Sequence, residues 1–250
     1  MERVFIGVLW LLFLCPLRLL GAPLTIYTEL FPPDQYLASD GRLTGYVVEV
    51  VQEIQARTGN QDPIQVVPWV KAYREIQERP NTVLFSMARI PERVPLFHWV
   101  GPVKEARSEL YVIAGSKVSR LSLPQAKALR RIGVYRDDAR DQHLTRMGFA
   151  NLDHSIDPEV ILKKLLLGRV DAMACAPDIM PDLLKALGRD SSAIRPVCSF
   201  LKTPIYIAIS KGTSPEVVKA WGQALEGMRQ DGSLQRIYRA YYPQGVAPGS

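Results

Sequence analysis

The sequence predicts an α/β fold built largely on parallel strands, and three observations carry that prediction. Short apolar runs with strand character recur along the chain: Leu24 to Thr28, Ile64 to Val67, Val83 to Phe85, Leu110 to Ala114, Ile132 to Val134, Val170 to Cys175 and Ile194 to Phe200. Segments with helical periodicity alternate with them, the pattern of strands covered by helices. Two of those segments open with one grammar, Asp157-Pro158-Glu159 and Ser214-Pro215-Glu216. Each offers an N-cap, a proline at the first helical position and an acid in the first turn.

Taken in order, Leu24 to Thr28 supplies a first strand. Val47, Val48, Val51 and Ile54 then fall on one face at helical spacing, and Gly59 stops that helix just after Thr58. The runs at Ile64, Val83, Leu110 and Ile132 read as buried strands. From Asp157 a helix turns Val160, Ile161, Leu165 and Leu166 inward and ends at Gly168. The helix led by Ser214 carries Val218, Trp221, Leu225 and Met228 and breaks at Asp231-Gly232; a last one holds Leu234, Ile237, Tyr238 and Tyr241. No repeat, low-complexity tract or flexible linker separates these parts, so two domains would be joined by structured strands rather than a tether.

At 250 residues and 47% hydrophobic, the chain can bury a core for one large or two small domains. Arg3, the apolar run from Val4 and the small residues Gly21-Ala22 read as a secretory signal peptide over residues 1–22. Pro16 and Arg18 interrupt the run, which is short for a spanning helix of about 20 residues. Without residues 1–22 the chain keeps 29 basic and 24 acidic residues. That mild excess forms no block of like charge, so it does not argue for nucleic acid or a membrane surface, and it fits weak attraction to anions. Cys175 and Cys198 permit a disulfide in an oxidising compartment, with two buried thiols the equal alternative. His98, His143 and His154 lack metal-ligand spacing, and neither a G-x-S-x-G elbow nor a phosphate-binding glycine loop is present. No catalytic residue, metal or cofactor is assigned.

The stretch Phe85-Ser86-Met87-Ala88-Arg89-Ile90-Pro91-Glu92-Arg93 runs from a strand through a proline turn to a cation whose planar fork suits a carboxylate. Closed by Phe97-His98-Trp99-Val100-Gly101-Pro102, it resembles the "S-x-T-x-T-P-E-R … F-x-F-S-x-P" signature of the family 3 solute-binding proteins, extracytoplasmic receptors that mostly serve polar amino acid transporters. Phe31-Pro32-Pro33 with Gly41 to Val50 is similar to that family's "Y-P-P-F … G-x-x-x-G-F-D-V-D-L", and Asp231 to Tyr242 to its "D-G-T-x-x-x-I-Y-x-K-Y-F" ending. Tyr206 to Lys211 resembles the strand that re-enters the first lobe.

The resemblance implies a two-lobed periplasmic binding protein fold (type II) with two hinge crossings. Lobe 1 would hold 23–105 plus 204–250 and lobe 2 would hold 106–203, with ligand in the cleft between them. It implies a periplasmic, monomeric protein that captures a small carboxylate-bearing solute, an amino acid or related compound, for an ABC transporter permease. A sensory module, or an enzyme like cyclohexadienyl dehydratase on the same fold, is the alternative. Residue by residue, Arg93 matches the arginine that holds the ligand carboxylate, helped by backbone N–H groups near Ser86 and Met87, and Arg89 is expected at the rim. Phe31, Tyr36 and Trp69 are candidates to stack on the ligand. The pattern is incomplete. Ala88 and Asp138 stand where the family places threonines, and Ala176 stands where an aspartate pairs with the α-ammonium. Either Glu29, Asp138 or Asp178 supplies the missing negative charge, or the ligand is something other than an α-amino acid.

Overall fold

The computed structural model describes residues 22–243 and 245–249. The signal-peptide reading therefore falls, but for its last residue, outside the described residues. In the first half, β1 (Thr25–Thr28) leads through a small hairpin, β2 (Tyr36–Leu37) and β3 (Leu43–Thr44), into α1 (Tyr46–Thr58). Val47, Val48, Val51 and Ile54 of that helix are fully buried, and Gly59 ends it in the left-handed conformation. Next come β4 (Ile64–Val66), α2 (Trp69–Glu78) and β5 (Thr82–Ala88). After the long β6 (Phe97–Ile113), the second half runs α3 (Leu123–Ala126), β7 (Ile132–Tyr135), α4 (Ala139–Arg146), β8 (Leu152–Ser155), α5 (Pro158–Leu166), β9 (Ala172–Cys175) and α6 (Met180–Ala186). The equally long β10 (Ile194–Ser210) returns the chain to the first half, where α7 (Pro215–Gln230) and α8 (Ser233–Tyr241) close it. Both anticipated N-caps form: Asp157 accepts from the Glu159 N–H and Ser214 from that of Val217.

One sheet orders its strands β4-β1-β5-β10-β6-β9-β7-β8. Its two ends are parallel, as anticipated, with β1 between β4 and β5 and β7 between β8 and β9. Its centre is antiparallel, because β10 pairs with both β5 and β6, and β6 with β9. The sheet is therefore mixed rather than largely parallel. The cause is the pair of 17-residue strands, which pass together through both halves of the molecule. Thr203 pairs with Ala106 and Pro204 with Glu105 at the crossing, and register breaks lie on both sides of it. Glu105, Arg107, Lys202 and Pro204 are exposed there, which is why each long strand reads in the sequence as separate apolar pieces.

Strand order decides the fate of the cysteines. Cys175 on β9 pairs with Glu109 and Cys198 on β10 pairs with Leu110, so β6 lies between the two thiols. Two strand spacings amount to about 10 Å, beyond the roughly 4.4–6.8 Å Cα window of a disulfide. The side chains also enter different cores, Cys175 beside Ile161 and Met173, Cys198 beside Leu110 and Val197. Both are buried free thiols, and the permitted disulfide does not form. Titration of the unfolded, unreduced chain lacking residues 1–22 is expected to find two thiols; none would contradict this strand order.

Candidate functional site

The residues that follow strand ends converge on one place. Glu29 follows β1, Ser86 and Ala88 lie on β5, Asp138 follows β7, and Ala176 and Asp178 follow β9; Trp69 opens α2 from the side. This is where parallel α/β sheets bind ligands, beyond the carboxyl ends of their strands. The inner cavity they enclose is about 90 Å3. Gly45 helps to hold its wall: at φ 124° a Cβ there would stand 2.5 Å from the Asp34 carbonyl oxygen, so only glycine lets the chain carrying Asp34 and Gln35 dock on the start of α1. Ser86 adopts a left-handed φ of 60° inside β5, a conformation that costs energy for a non-glycine residue, and its hydroxyl accepts from Gln35 Nε2.

Arg93 is the centre of the site. It is 1% exposed and lies 4.9 Å from the ring centres of both Trp69 and Tyr73. Its Nε donates to Gln142 Oε1 (2.9 Å), Nη2 to the Asp137 carbonyl (2.9 Å) and Nη1 to the Ala88 carbonyl (3.4 Å). Burial pulls its pKa down. No carboxylate among the described residues forms an ion pair with it, which leaves a buried cation held only by neutral acceptors. Arg89 is exposed, against Trp99 and Tyr206, away from this cavity.

The second half of the chain meets Arg93 through one turn. Asp137 adopts a left-handed φ of 59°, and its carbonyl receives both Arg93 Nη2 and Trp69 Nε1 (3.1 Å). Asp138 caps α4, taking the N–H groups of Arg140 (2.8 Å) and Asp141 (2.9 Å) on Oδ1 and Arg140 Nε (2.6 Å) on Oδ2. Its charge is thus engaged by Arg140 and the start of α4, though it still acts on the neighbouring Glu29, whose carboxyl it helps to raise. Burial is the largest influence and disfavours the Arg140 cation, but Asp138, Cys175 and Glu29 together outweigh it, so Arg140 stays above its ordinary value.

Glu29 has no cationic partner within ion-pair distance among the described residues; Tyr135 donates to its Oε2 at 3.0 Å. Desolvation is the main influence, and despite Tyr135 and the charge of Arg140 it raises the carboxyl from 4.5 to about 7. A folded-state pKa above the unfolded one gives stability that is complete below pH 4.5 and lost as pH climbs through about 7. Glu29→Gln removes that dependence. Its melting temperature relative to the parent is expected to be higher at pH 8 than at pH 5, by differential scanning calorimetry; an equal offset at both values would contradict a desolvated Glu29.

Beside this group lies a second buried charge cluster. Lys104, 4% exposed on β6, donates to Asp34 Oδ2 (2.9 Å), Asp178 Oδ2 (2.6 Å) and the Tyr242 hydroxyl (2.8 Å). Burial would lower its pKa, but the nearby carboxylates and Tyr242 raise it, so the ammonium is retained. Asp178 is therefore already paired.

Of the residues singled out from sequence, Arg93, Glu29, Phe31, Trp69, Ser86 and Asp138 line the inner cavity. Tyr36 and Met87 do not. Tyr36 sits half-buried in the β2–β3 hairpin, and the Met87 side chain is fully buried in the core beside Phe97 and Ala208. Arg140, Tyr135, Tyr73, Gln142 and the Lys104–Asp34 pair were not anticipated; all but Arg140, which pairs with Asp138 two residues away, owe their place to a partner distant in sequence. Only Tyr73 left a trace, at helical spacing from Trp69 and Ile76.

Comparison with known proteins fits this geometry. The chain is 23% identical over 220 residues to the L-cystine-binding protein TcyJ of Escherichia coli, covering 86% of this chain and 80% of that one. A histidine kinase sensor domain similar to periplasmic binding proteins superposes with a TM-score of 0.77 at 18% identity, covering 89% of this chain and 96% of that one. An ancestral arginine-binding protein bound to arginine gives 0.75 at 22%, with 88% and 98% covered. The arginine-, lysine-, histidine-binding protein ArtJ of Geobacillus stearothermophilus gives 0.74 at 17%, with 91% and 97% covered. These likenesses show the two-lobed periplasmic binding protein fold. The profile of the bacterial extracellular solute-binding proteins, family 3, matches residues 24–244, and the chain belongs to that family.

Proposed function

We propose that this protein is a periplasmic receptor for a small carboxylate-bearing solute, an amino acid or a related compound, which it delivers to an ABC transporter permease. In this reading, residues 23–105 with 204–250 form lobe 1, residues 106–203 form lobe 2, and a monomer closes on its ligand by hinge motion at the paired crossing of β6 and β10. One observation carries the reading: Arg93 is a buried guanidinium in the cavity wall with no carboxylate partner among the described residues. A ligand carboxylate supplies the missing countercharge, and the Ser86 hydroxyl, which accepts from Gln35, can turn its own proton to it as a second donor. Ala176 leaves no carboxylate at the family's ammonium position, so Glu29 is the remaining acid that can face a cationic group.

A thermal-shift screen of amino acids, small carboxylates and amines tests the proposal. A ligand at 100 times its dissociation constant adds about 2.7 kcal/mol of stability. The hits are expected to be carboxylates; a set of hits without carboxylates would overturn the reading. Glu29 also favours a second reading, because a carboxylic acid poised near neutrality in a cleft is what general acid catalysis needs. Incubation with prephenate or arogenate separates the two: a receptor leaves them unchanged, whereas steady turnover would establish an enzyme.

A further inference from the structure

Beside the inner cavity lies a larger compartment of about 350 Å3, and the two share Glu29, Phe31 and Arg140 in their walls. Alone, the inner space falls well short of the roughly 300–1,000 Å3 of ordinary small-molecule sites; with the outer one it reaches that range. The outer walls come from both halves of the molecule. Leu30, Val66 and Pro68 face Ile156, Ile161 and Ile179 across it. Three of these aliphatic side chains are unusually open to solvent: Leu30 is 45% exposed, Val66 41% and Ile156 66%. Opposed apolar rims of this kind mark surface that an apolar group covers.

The charges bordering the compartment narrow what can enter. Asp157 is occupied capping α5, Tyr135 and Glu29 bond to each other, and Arg140 is a retained cation. A ligand tail ending in an ammonium or guanidinium would give up hydration among these aliphatic walls beside the like charge of Arg140, and of the acids lining the compartment only Glu29, shared with the inner cavity, and the exposed Asp157 at its rim could answer it. An apolar tail meets no such cost.

Resting on the reading of Arg93 as the carboxylate site, we propose that the ligand is an elongated acid. Its carboxylate occupies the inner cavity at Arg93, and an aliphatic or aromatic distal group fills the outer compartment between Leu30, Val66 and Ile156. The receptor selects for apolar length rather than for a polar side chain.

The test titrates acetate, butyrate, hexanoate and 5-phenylpentanoate, with 6-aminohexanoate as the cationic counterpart of hexanoate, by ligand-observed NMR at neutral pH. Each buried methylene is expected to tighten binding about fourfold, and 6-aminohexanoate is expected to bind at least tenfold more weakly than hexanoate. Ile156→Asp, at an exposed rim position, should flatten the length dependence. Arg93→Ala should weaken every member. Length-independent affinity that still requires Arg93 would overturn the apolar compartment and leave the carboxylate site standing. A length dependence indifferent to Arg93 would overturn the carboxylate reading and, with it, this orientation of the ligand. Silence across the series, or tighter binding of 6-aminohexanoate, would also overturn the proposal.

Discussion

Arg93→Ala is expected to weaken a carboxylate ligand by two to three orders of magnitude or more. Breaking one partner of a buried charged pair costs about 3–5 kcal/mol, and each 1.4 kcal/mol is about tenfold in affinity. Arg93 also donates to Asp137 and Gln142 of the second half of the chain, so its loss removes those contacts as well. Arg93→Lys should fail nearly as badly. An ammonium cannot make the forked contact to a carboxylate while also reaching the Asp137 carbonyl and Gln142. Arg89→Ala, exposed and outside the cavity, is the matched control and should bind as the parent does. Calorimetry on the three variants, with circular dichroism to verify folding, decides the matter. Parent-like affinity in Arg93→Ala would remove the carboxylate from this position.

Lys104→Met is expected to produce the largest loss of stability. It leaves the Asp34 carboxylate, 4% exposed, and its neighbour Asp178 without their shared cation, at a cost of about 3–5 kcal/mol. Desolvation already raises Asp34 in the parent, and without Lys104 it takes up a proton more readily still. The sign follows: the variant recovers stability as pH falls through the raised pKa and is weakest at alkaline pH. Urea unfolding at pH 5 and pH 8 should show the larger deficit at pH 8, and adding Asp34→Asn should restore part of it. A deficit independent of pH would mean that Asp34 is not a buried, uncompensated charge in the variant.

What the sequence disclosed and what it concealed divide along the range of the interactions. Arg93, Trp69 and Phe31 stand in or near local motifs, and the departures at Ala88, Asp138 and Ala176 are visible at single positions. The caps at Asp157 and Ser214 are short-range hydrogen bonds and form as read. Lys104 is the opposite case. Within Lys104-Glu105-Ala106-Arg107 it resembles its exposed neighbours, and its burial depends on Asp34, 70 residues away, and Tyr242, 138 away. The cysteines show the same limit, since their apolar strands look like neighbours until the sheet order inserts β6 between them. The helix α2 lay half-hidden: Trp69, Ala72, Tyr73 and Ile76 keep helical spacing, but Pro68 before them offers no polar N-cap to announce the start.

The most direct test is a matched pair. A carboxylate found in the thermal screen and its primary amide differ only in the group assigned to Arg93, so calorimetry on the unmodified protein isolates that contact. The acid is expected to bind at least about 100-fold more tightly than the amide, which corresponds to about 2.7 kcal/mol. Equal affinities would show that the buried guanidinium does not hold the ligand's anionic end.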